Sequence, residues 1–314
     1  MGPDRRSVLL GVLGAAVGAV LAGCARESGV RVPELVIATG PPGAVFREIG
    51  AEIAVLMRER LPGTEVVTVD TNASHDNLYL LEDGNAHLGL SSLDSTLDHE
   101  SEISEGGRLS AVGRLYDSFV HLVVPEESAI RGLDDLAGLR VSVGSKDSGT
   151  EFTAQRILRE TGLSAETVLM DQAASAEALA SGGIDAMFSL TGLPTPAIAG
   201  LARERDVRFI DLSGTAGVMA DAYPESYFQA TIPATTYHGV PACPTMSTPN
   251  LLLCRSDLPD DLVFEVTDTV YRGAARLAAQ RPEAAQINVR TGISTGLVPL
   301  HPGAERWYRE NKPS

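Results

Sequence analysis

The sequence predicts an α/β protein of two lobes with a ligand cleft between them. Three observations carry that reading. From Glu34 onward, short apolar runs alternate with stretches of helical periodicity. The alternation pauses after Leu90 and starts again at Leu139. Two further apolar segments, one between these units and one after the second, are suited to connect them. Such alternation predicts a mostly parallel sheet flanked by helices.

In the first unit, Leu35-Val36-Ile37-Ala38 is continuously apolar, as expected of a strand covered on both faces. Val45, Ile49, Ile53, Leu56 and Arg60 fall on one mostly apolar helical stripe, which Leu61-Pro62-Gly63 ends. Val66 to Val69 is a second strand, Ser74 to Asp83 a helix stopped by Gly84, and His87 to Leu90 a third strand. The second unit reads as strand (Leu139 to Val143), helix (Gly149 to Thr161), strand (Val168 to Met170), helix (Ala176 to Ala180) and strand (Asp185 to Phe188). Val207 to Ile210 closes it. Phe119 to Val124 and Phe228 to Ile232 are the candidate crossings, and Asp257 is expected to cap a long helix after them. Residues 33–120 and 238–314 are thus expected to form one lobe and 121–237 the other. Ligands of open α/β sheets sit beyond the carboxyl ends of strands, so facing lobes put strand-end loops around a cleft.

The N-terminus carries an address. Arg5 and Arg6 precede an apolar run from Val8 to Leu21, shorter than the ~20 residues of a spanning helix, so residues 1–23 read as a signal peptide. Leu21-Ala22-Gly23-Cys24 looks like a bacterial lipobox, in which cleavage precedes the Cys and its thiol is acylated. Residues 24–32 would then be a linker. The expected location is the outer face of the cell membrane, held by lipidated Cys24, since two acyl chains anchor stably. Arg5-Arg6-Ser7-Val8-Leu9 also suggests the twin-arginine route, with Sec export left open. The formal charge of −16 argues against nucleic acid as a partner. It also provides no long-range field for an anion, so local groups would have to capture an acidic ligand. Cys243 and Cys254 are separated by a buried strand around Leu251 that weighs against a disulfide, although Pro244 and Pro249 could turn the chain back.

Four loops could hold a ligand. Thr39-Gly40-Pro41-Pro42-Gly43-Ala44-Val45-Phe46 joins a strand to a helix, where glycines allow close backbone approach and a helix start favours an anion. It matches neither a phosphate loop nor the dinucleotide fingerprint, and a plain tight turn explains it as well. In Gly144-Ser145-Lys146-Asp147-Ser148-Gly149-Thr150-Glu151, Ser148 and Glu151 form a capping box. Gly144, Ser145, Gly149 and Thr150 are left free to offer donors; Lys146 could add charge, although a solvated lysine also accounts for it. The others are Ser91-Ser92-Leu93-Asp94 and Thr191-Gly192-Leu193-Pro194-Thr195-Pro196. Asp94, Asp98 and Glu102 share a helical stripe, expected to be a solvated face because no Gly-turned calcium loop is present. The histidines lack paired i, i+4 spacing, so neither a metal nor a cofactor is expected, and no Gly-x-Ser-x-Gly elbow occurs.

Taken in order, these segments resemble the TAXI family of TRAP transporter receptors. The resemblance rests on Thr39-Gly40-x-x-Gly43-x-x-Phe46, Asn77-Leu78, Ser91-Ser92-x-Asp94 and Gly144-x-x-x-Ser148-Gly149-Thr150-Glu151. It continues through Gly192-Leu193-Pro194-x-Pro196, Ile232-Pro233-Ala234-x-Thr236-Tyr237 and Arg255-Ser256-Asp257-Leu258-Pro259. It implies a type II periplasmic-binding-protein-like fold, no enzymatic activity, and a monomer that takes a small glutamate-, glutamine- or 2-oxoglutarate-like carboxylate to a TRAP permease. The implied ligand-binding set is Thr39, Gly40, Gly43, Phe46, Asn77, Ser91, Ser92, Asp94, Gly144, Ser145, Ser148, Gly149, Thr150, Thr191, Gly192 and Tyr237. Pro42, Ala44 and Phe46 depart from the usual residues of the first loop, which bears on ligand identity. Two rivals stay open. One is a dehydratase-like enzyme of the same fold, with Asp94 or Lys146 as acid or base; the other is a receptor presenting to a membrane sensor.

Overall fold

A computed structural model describes residues 32–99, 103 and 106–311. The signal segment, Cys24 and Glu102 lie outside the described residues. The first unit runs β1 (Glu34–Ala38), α1 (Val45–Arg60), β2 (Glu65–Val69), α2 (Ser74–Glu82), β3 (Leu88–Ser92) and α3 (Leu93–Leu97). A long strand, β4 (Leu109–Pro125), leads to β5 (Arg140–Ser142), α4 (Gly149–Thr161), β6 (Glu166–Val168) and α5 (Gln172–Ser181). After these come β7 (Ala186–Thr191), α6 (Pro196–Glu204), β8 (Val207–Phe209), α7 (Ser213–Ala222) and β9 (Phe228–Ile232). A second long strand, β10 (Cys243–Arg255), returns to α8 (Asp260–Arg272), α9 (Ala274–Gln280), α10 (Val289–Gly292) and α11 (Pro302–Glu310).

The ten strands among the described residues join one sheet, in the order β2-β1-β3-β10-β4-β7-β5-β6, with β8 on β4 and β9 on β10. The flanks are parallel: β1 with β2 and β3, β5 with β6 and β7. The centre is antiparallel, because β4 and β10 run against each other and against β3 and β7. The expected parallel sheet therefore describes each flank but not the middle.

Strand alternation sorts side chains into separate cores. In β1, Leu35 and Ile37 join the core beneath α1 and α8, while Val36 and Ala38 join the one beneath α2. In β10, Leu252 and Cys254 face the first of these and Leu251 and Leu253 the second. The α1 stripe of Val45, Ile49, Ile53 and Leu56 is buried as its spacing predicts. Enclosing each such aliphatic side chain contributes roughly 1.5–3 kcal/mol. Two more cores form around β4 and β7, one with Val120, Leu122 and Phe188, the other with Val123, Met187 and Ile198.

Phe228–Ile232 was expected to cross between lobes but does not: β9 lies antiparallel along the first half of β10. β4 and β10 are long enough to serve both sets of cores. Val240, Cys243 and Met246 pack with the second set and Leu251 to Cys254 with the first. We propose that the lobes divide where Asn250 Nδ2 donates to Ser118 Oγ at 2.8 Å. The ladder between β10 and β4 slips there, between Pro249 and Leu251, where proline lacks a ladder donor. Cys243 and Cys254 are free and buried; standing near opposite ends of β10, they lie about 35 Å apart along the strand. Pro244 and Pro249 are accommodated within that strand and do not turn it back.

Two caps also differ from expectation. Asp257 pairs with Arg255 at 2.5 and 2.9 Å, and α8 starts after Pro259 without a side-chain cap. Glu151 reaches the Asp147 N–H at 2.6 Å, one residue short of a reciprocal capping box, although Ser148 does cap α4.

Candidate functional site

Four helix starts line one cavity between the lobes. Ala44, Val45 and Phe46 come from α1, Ala73 and Ser74 from α2, Ser148, Gly149 and Thr150 from α4, and Gln172 from α5. The first two helices belong with the first set of cores and the last two with the second. No charged side chain is among the described residues that line the cavity. Its volume of about 30 Å³ is room for no more than a few waters, so this is a closed arrangement.

The starts are not equivalent. Ser148 Oγ accepts from the Glu151 N–H at 3.0 Å and Asp171 Oδ1 from the Ala174 N–H at 2.7 Å. Ala44 and Ala73 give α1 and α2 no side-chain cap. Each helix leaves its first-turn N–H groups unbonded within the helix, and together they carry partial positive charge. Four such ends around an uncharged cavity favour a small anion.

Close approach depends on two glycines. A Cβ on Gly149 would lie 2.7 Å from Ser74 Oγ and 3.1 Å from Ser92 Oγ, so any side chain there would wedge the lobes apart. Gly144 has φ +94°, and a Cβ would meet Thr150 Cβ at 2.7 Å; the loop needs glycine to fold onto the start of α4. Ser74 and Ser92 exchange a hydrogen bond at 3.1 Å. Thr150 Oγ1 accepts from the Leu190 N–H at 3.0 Å, leaving its own proton available. Gln172 Oε1, Thr191 Oγ1 and Asn250 Oδ1 line the cavity and have no partner among the described residues. Buried polar atoms are nearly always bonded, so these three point to a ligand.

Of the expected residues, Phe46, Ser92, Gly144, Ser145, Ser148, Gly149, Thr150 and Thr191 line the cavity; the other eight do not. Thr39 Oγ1 donates to the Val69 carbonyl at 2.8 Å. Asn77 staples strand ends, with Nδ2 donating to the Thr39 and Leu90 carbonyls at 2.7 Å and Oδ1 accepting from Thr71 at 2.6 Å. Gly40 makes room for Phe46, and Gly192 for Tyr116. Gly43 turns at φ +77° against Ala173 and Ala197 and lines a separate groove. Ser91 Oγ accepts from Thr96 at 3.0 Å. Asp94 is fully enclosed, not on a solvated face.

Tyr237 is buried against His121 Nε2 and the Thr195 N–H, both at 3.0 Å, and burial pushes its hydroxyl up to about 12. Thr195 starts α6 with Pro196 at the first position, but its hydroxyl donates to the Gly192 carbonyl at 2.9 Å and does not cap the helix. Lys146 is 76 % exposed, 3.7 Å from Asp147, and is not part of the lining.

Sequence reasoning missed Asn72, Ala73, Ser74, Ser118, Gln172 and Asn250. The first three follow strand Val66 to Val69 and start a predicted helix, so the strand-end rule could have found them. Ser118 and Asn250 sit inside strands, where sequence gives no such sign.

Residues 37–311 match the family described as NMT1-like. Among solved structures, the alkanesulfonate-binding protein SsuA from Xanthomonas axonopodis pv. citri, bound to MOPS, is similar at 19 % identity. The match covers 90 % of this chain and 86 % of that one, with a TM-score of 0.52. A putative L-cystine ABC transporter from Listeria monocytogenes is similar at 14 % identity, over 83 % and 98 % of the two chains, with a TM-score of 0.50. A structure described as a periplasmic transporter reaches 0.55 at 14 % identity, over 88 % and 92 %. At these identities the likeness is one of fold: the two-lobed α/β fold of periplasmic binding proteins.

Proposed function

The chain belongs to the NMT1-like family, and on that premise we propose that it is an extracytoplasmic solute receptor that closes on a small carboxylate. The observation that carries this reading is the convergence of four helix starts on a cavity whose described lining holds no charged side chain. Backbone N–H groups and helix dipoles stabilise an anion there without a basic residue. The hydroxyls of Ser74, Ser145, Thr150 and Thr191 add donors. In the closed form only a ligand of a few heavy atoms fits unaided; a five-carbon dicarboxylate requires Phe46 and its neighbours to give way.

The enzyme reading loses its candidates. Asp94 is enclosed away from the cavity and Lys146 stands outside it, so neither is placed to move a proton on a bound molecule. For delivery, the ordered motifs favour a TRAP permease. An ABC permease is the second reading, favoured by the likeness to a protein described as an ABC transporter. Lipidated Cys24 would keep the receptor, as a monomer, beside either one.

Calorimetric titration with a size series of mono- and dicarboxylates, with alkanesulfonates as a second arm, tests the ligand. Thr150→Val should weaken the best carboxylate at least tenfold, since losing a bond to a charged group costs about 1.5–3 kcal/mol. Lys146→Ala should change affinity less than threefold. Tighter binding of sulfonates than of any carboxylate would overturn the carboxylate assignment. Turnover of a bound acid would restore the enzyme. Uptake in cells given a TRAP or an ABC permease with the receptor separates the two partners.

A further inference from the structure

Asp94 sits on α3 and is 0 % exposed, yet both of its hydrogen bonds come from the other side of the interlobe seam. Thr153 Oγ1, on α4, donates to Oδ2 at 2.6 Å, and the Tyr227 hydroxyl donates to the same oxygen at 2.7 Å. Leu93, its neighbour on α3, packs with Leu78 and Leu81 of α2. Ala154 and Ile157 on α4 pack with Tyr227 in a core on the other side. Thr153 and Tyr227 are each 1 % exposed, and Asp94 Oδ1 has no partner among the described residues. The same seam holds the Phe152 ring 4.5 Å from that of His75, Arg156 at 3.5 Å from Asp98, and the Asp76 N–H at 3.3 Å from the Asp147 carbonyl. None of the three latch residues lines the cavity.

We propose that Asp94, Thr153 and Tyr227 form a closure latch that sets how often the lobes close, independently of contact with the ligand. Closing strips water from a carboxylate and replaces it with two hydroxyl donors on a single oxygen. Burying a charge is costly unless it is well bonded, so the closed state hangs on both donors. Removing either leaves the carboxylate underserved only when the lobes are shut, and the equilibrium moves toward open. Asp94 is thus a positioning residue: it governs affinity through closure, as Thr150 and Gly149 govern it through the cavity. The inference rests on the reading of the chain as a receptor that opens and closes.

Disulfide trapping reads the closed population even when it is a minority. The full chain would carry Asp76→Cys and Asp147→Cys across the seam, with Cys24→Ser so that the new thiols are the accessible pair, Cys243 and Cys254 being buried. In the absence of any ligand, Tyr227→Phe and Thr153→Val should each slow trapping by about tenfold or more, the effect of losing a charge-assisted bond. Thr153→Ser, which keeps the hydroxyl, should stay within twofold of the parent. Unchanged trapping in both hydroxyl-deleted variants would overturn the latch. So would Thr153→Ser slowing as much as Thr153→Val, which marks lost packing, or global unfolding of both variants, which marks a plain structural role. Because no ligand enters the measurement, a failure of the carboxylate assignment would leave this result standing.

Discussion

The two lobes present helix starts to the same cavity in opposite states. In the second, Ser148 and Asp171 spend their side chains on α4 and α5, so those helices are partly satisfied before any ligand arrives. In the first, Ala44 and Ala73 leave α1 and α2 uncapped, and an uncapped start costs about 1 kcal/mol relative to a capped one. The difference bears on binding: the second lobe satisfies part of its own ends. In the first, the α2 start leans on the other lobe through the Asp76 N–H and the Asp147 carbonyl, and the α1 start is left without a side-chain cap, whose place an anion can take.

The hardest test of that division is Gly149→Val. It should weaken the best ligand about a hundredfold or more, because its side chain would meet Ser74 and Ser92 of the other lobe, while unfolding stability changes little. Scattering should show the variant staying extended at saturating ligand; a normal compaction would break the argument.

Acid should bear on both lobes, since burial lowers the pKa of His75, His87 and His301 in the first as well as that of His121 in the second. His121 is fully enclosed in the second lobe, with Nδ1 facing the Phe119 and Ser189 carbonyls and Nε2 the Tyr237 hydroxyl. Burial holds its pKa at about 4 despite those carbonyls. The folded chain keeps it neutral while the unfolded chain protonates it below about 6.5. Its contribution is therefore fully present above pH 6.5 and is lost as pH falls toward 4, amounting to about 2 kcal/mol by pH 5. Urea unfolding at pH 7 and pH 5 should show that loss in the parent and a smaller one in His121→Gln. Equal losses would assign the acid response elsewhere.

Ala44→Asp gives the first lobe the kind of cap the second already has. It should raise Tm by about 1–2 °C, the effect of about 1 kcal/mol in a chain of this size. Binding should weaken about tenfold, as the carboxylate takes the N–H groups and repels an anion. Stabilisation without weaker binding would mean that α1 does not serve the ligand. Smallest of all, Ser148→Ala should cost about 1 kcal/mol of stability and less than threefold in affinity by calorimetry. A loss as deep as that of Gly149→Val would put the Ser148 hydroxyl on the ligand.

Legibility followed the range of the interaction concerned. Ser148 was readable as a cap because its partner, Glu151, is three residues away. The strand Leu35 to Ala38 and the α1 stripe were readable because burial follows strand and helix periods. Glu151 choosing the Asp147 N–H, and Thr195 choosing the Gly192 carbonyl, were not, since a polar side chain near a helix start has several backbone partners within reach.

By itself the sequence determined two units of alternating strand and helix, a cleft of strand-end loops, and the glycines and small polar residues that crowd it. Only the tertiary structure decided which of those residues face the cavity. Asp94 shares its loop with Ser92, yet it turns to Thr153 and Tyr227, 59 and 133 positions away. Ser118 and Asn250 meet 132 positions apart because β4 and β10 cross side by side. Periodicity says which side of an element is covered; what covers it depends on chain brought in from elsewhere, and that choice fixes the role of a buried polar side chain.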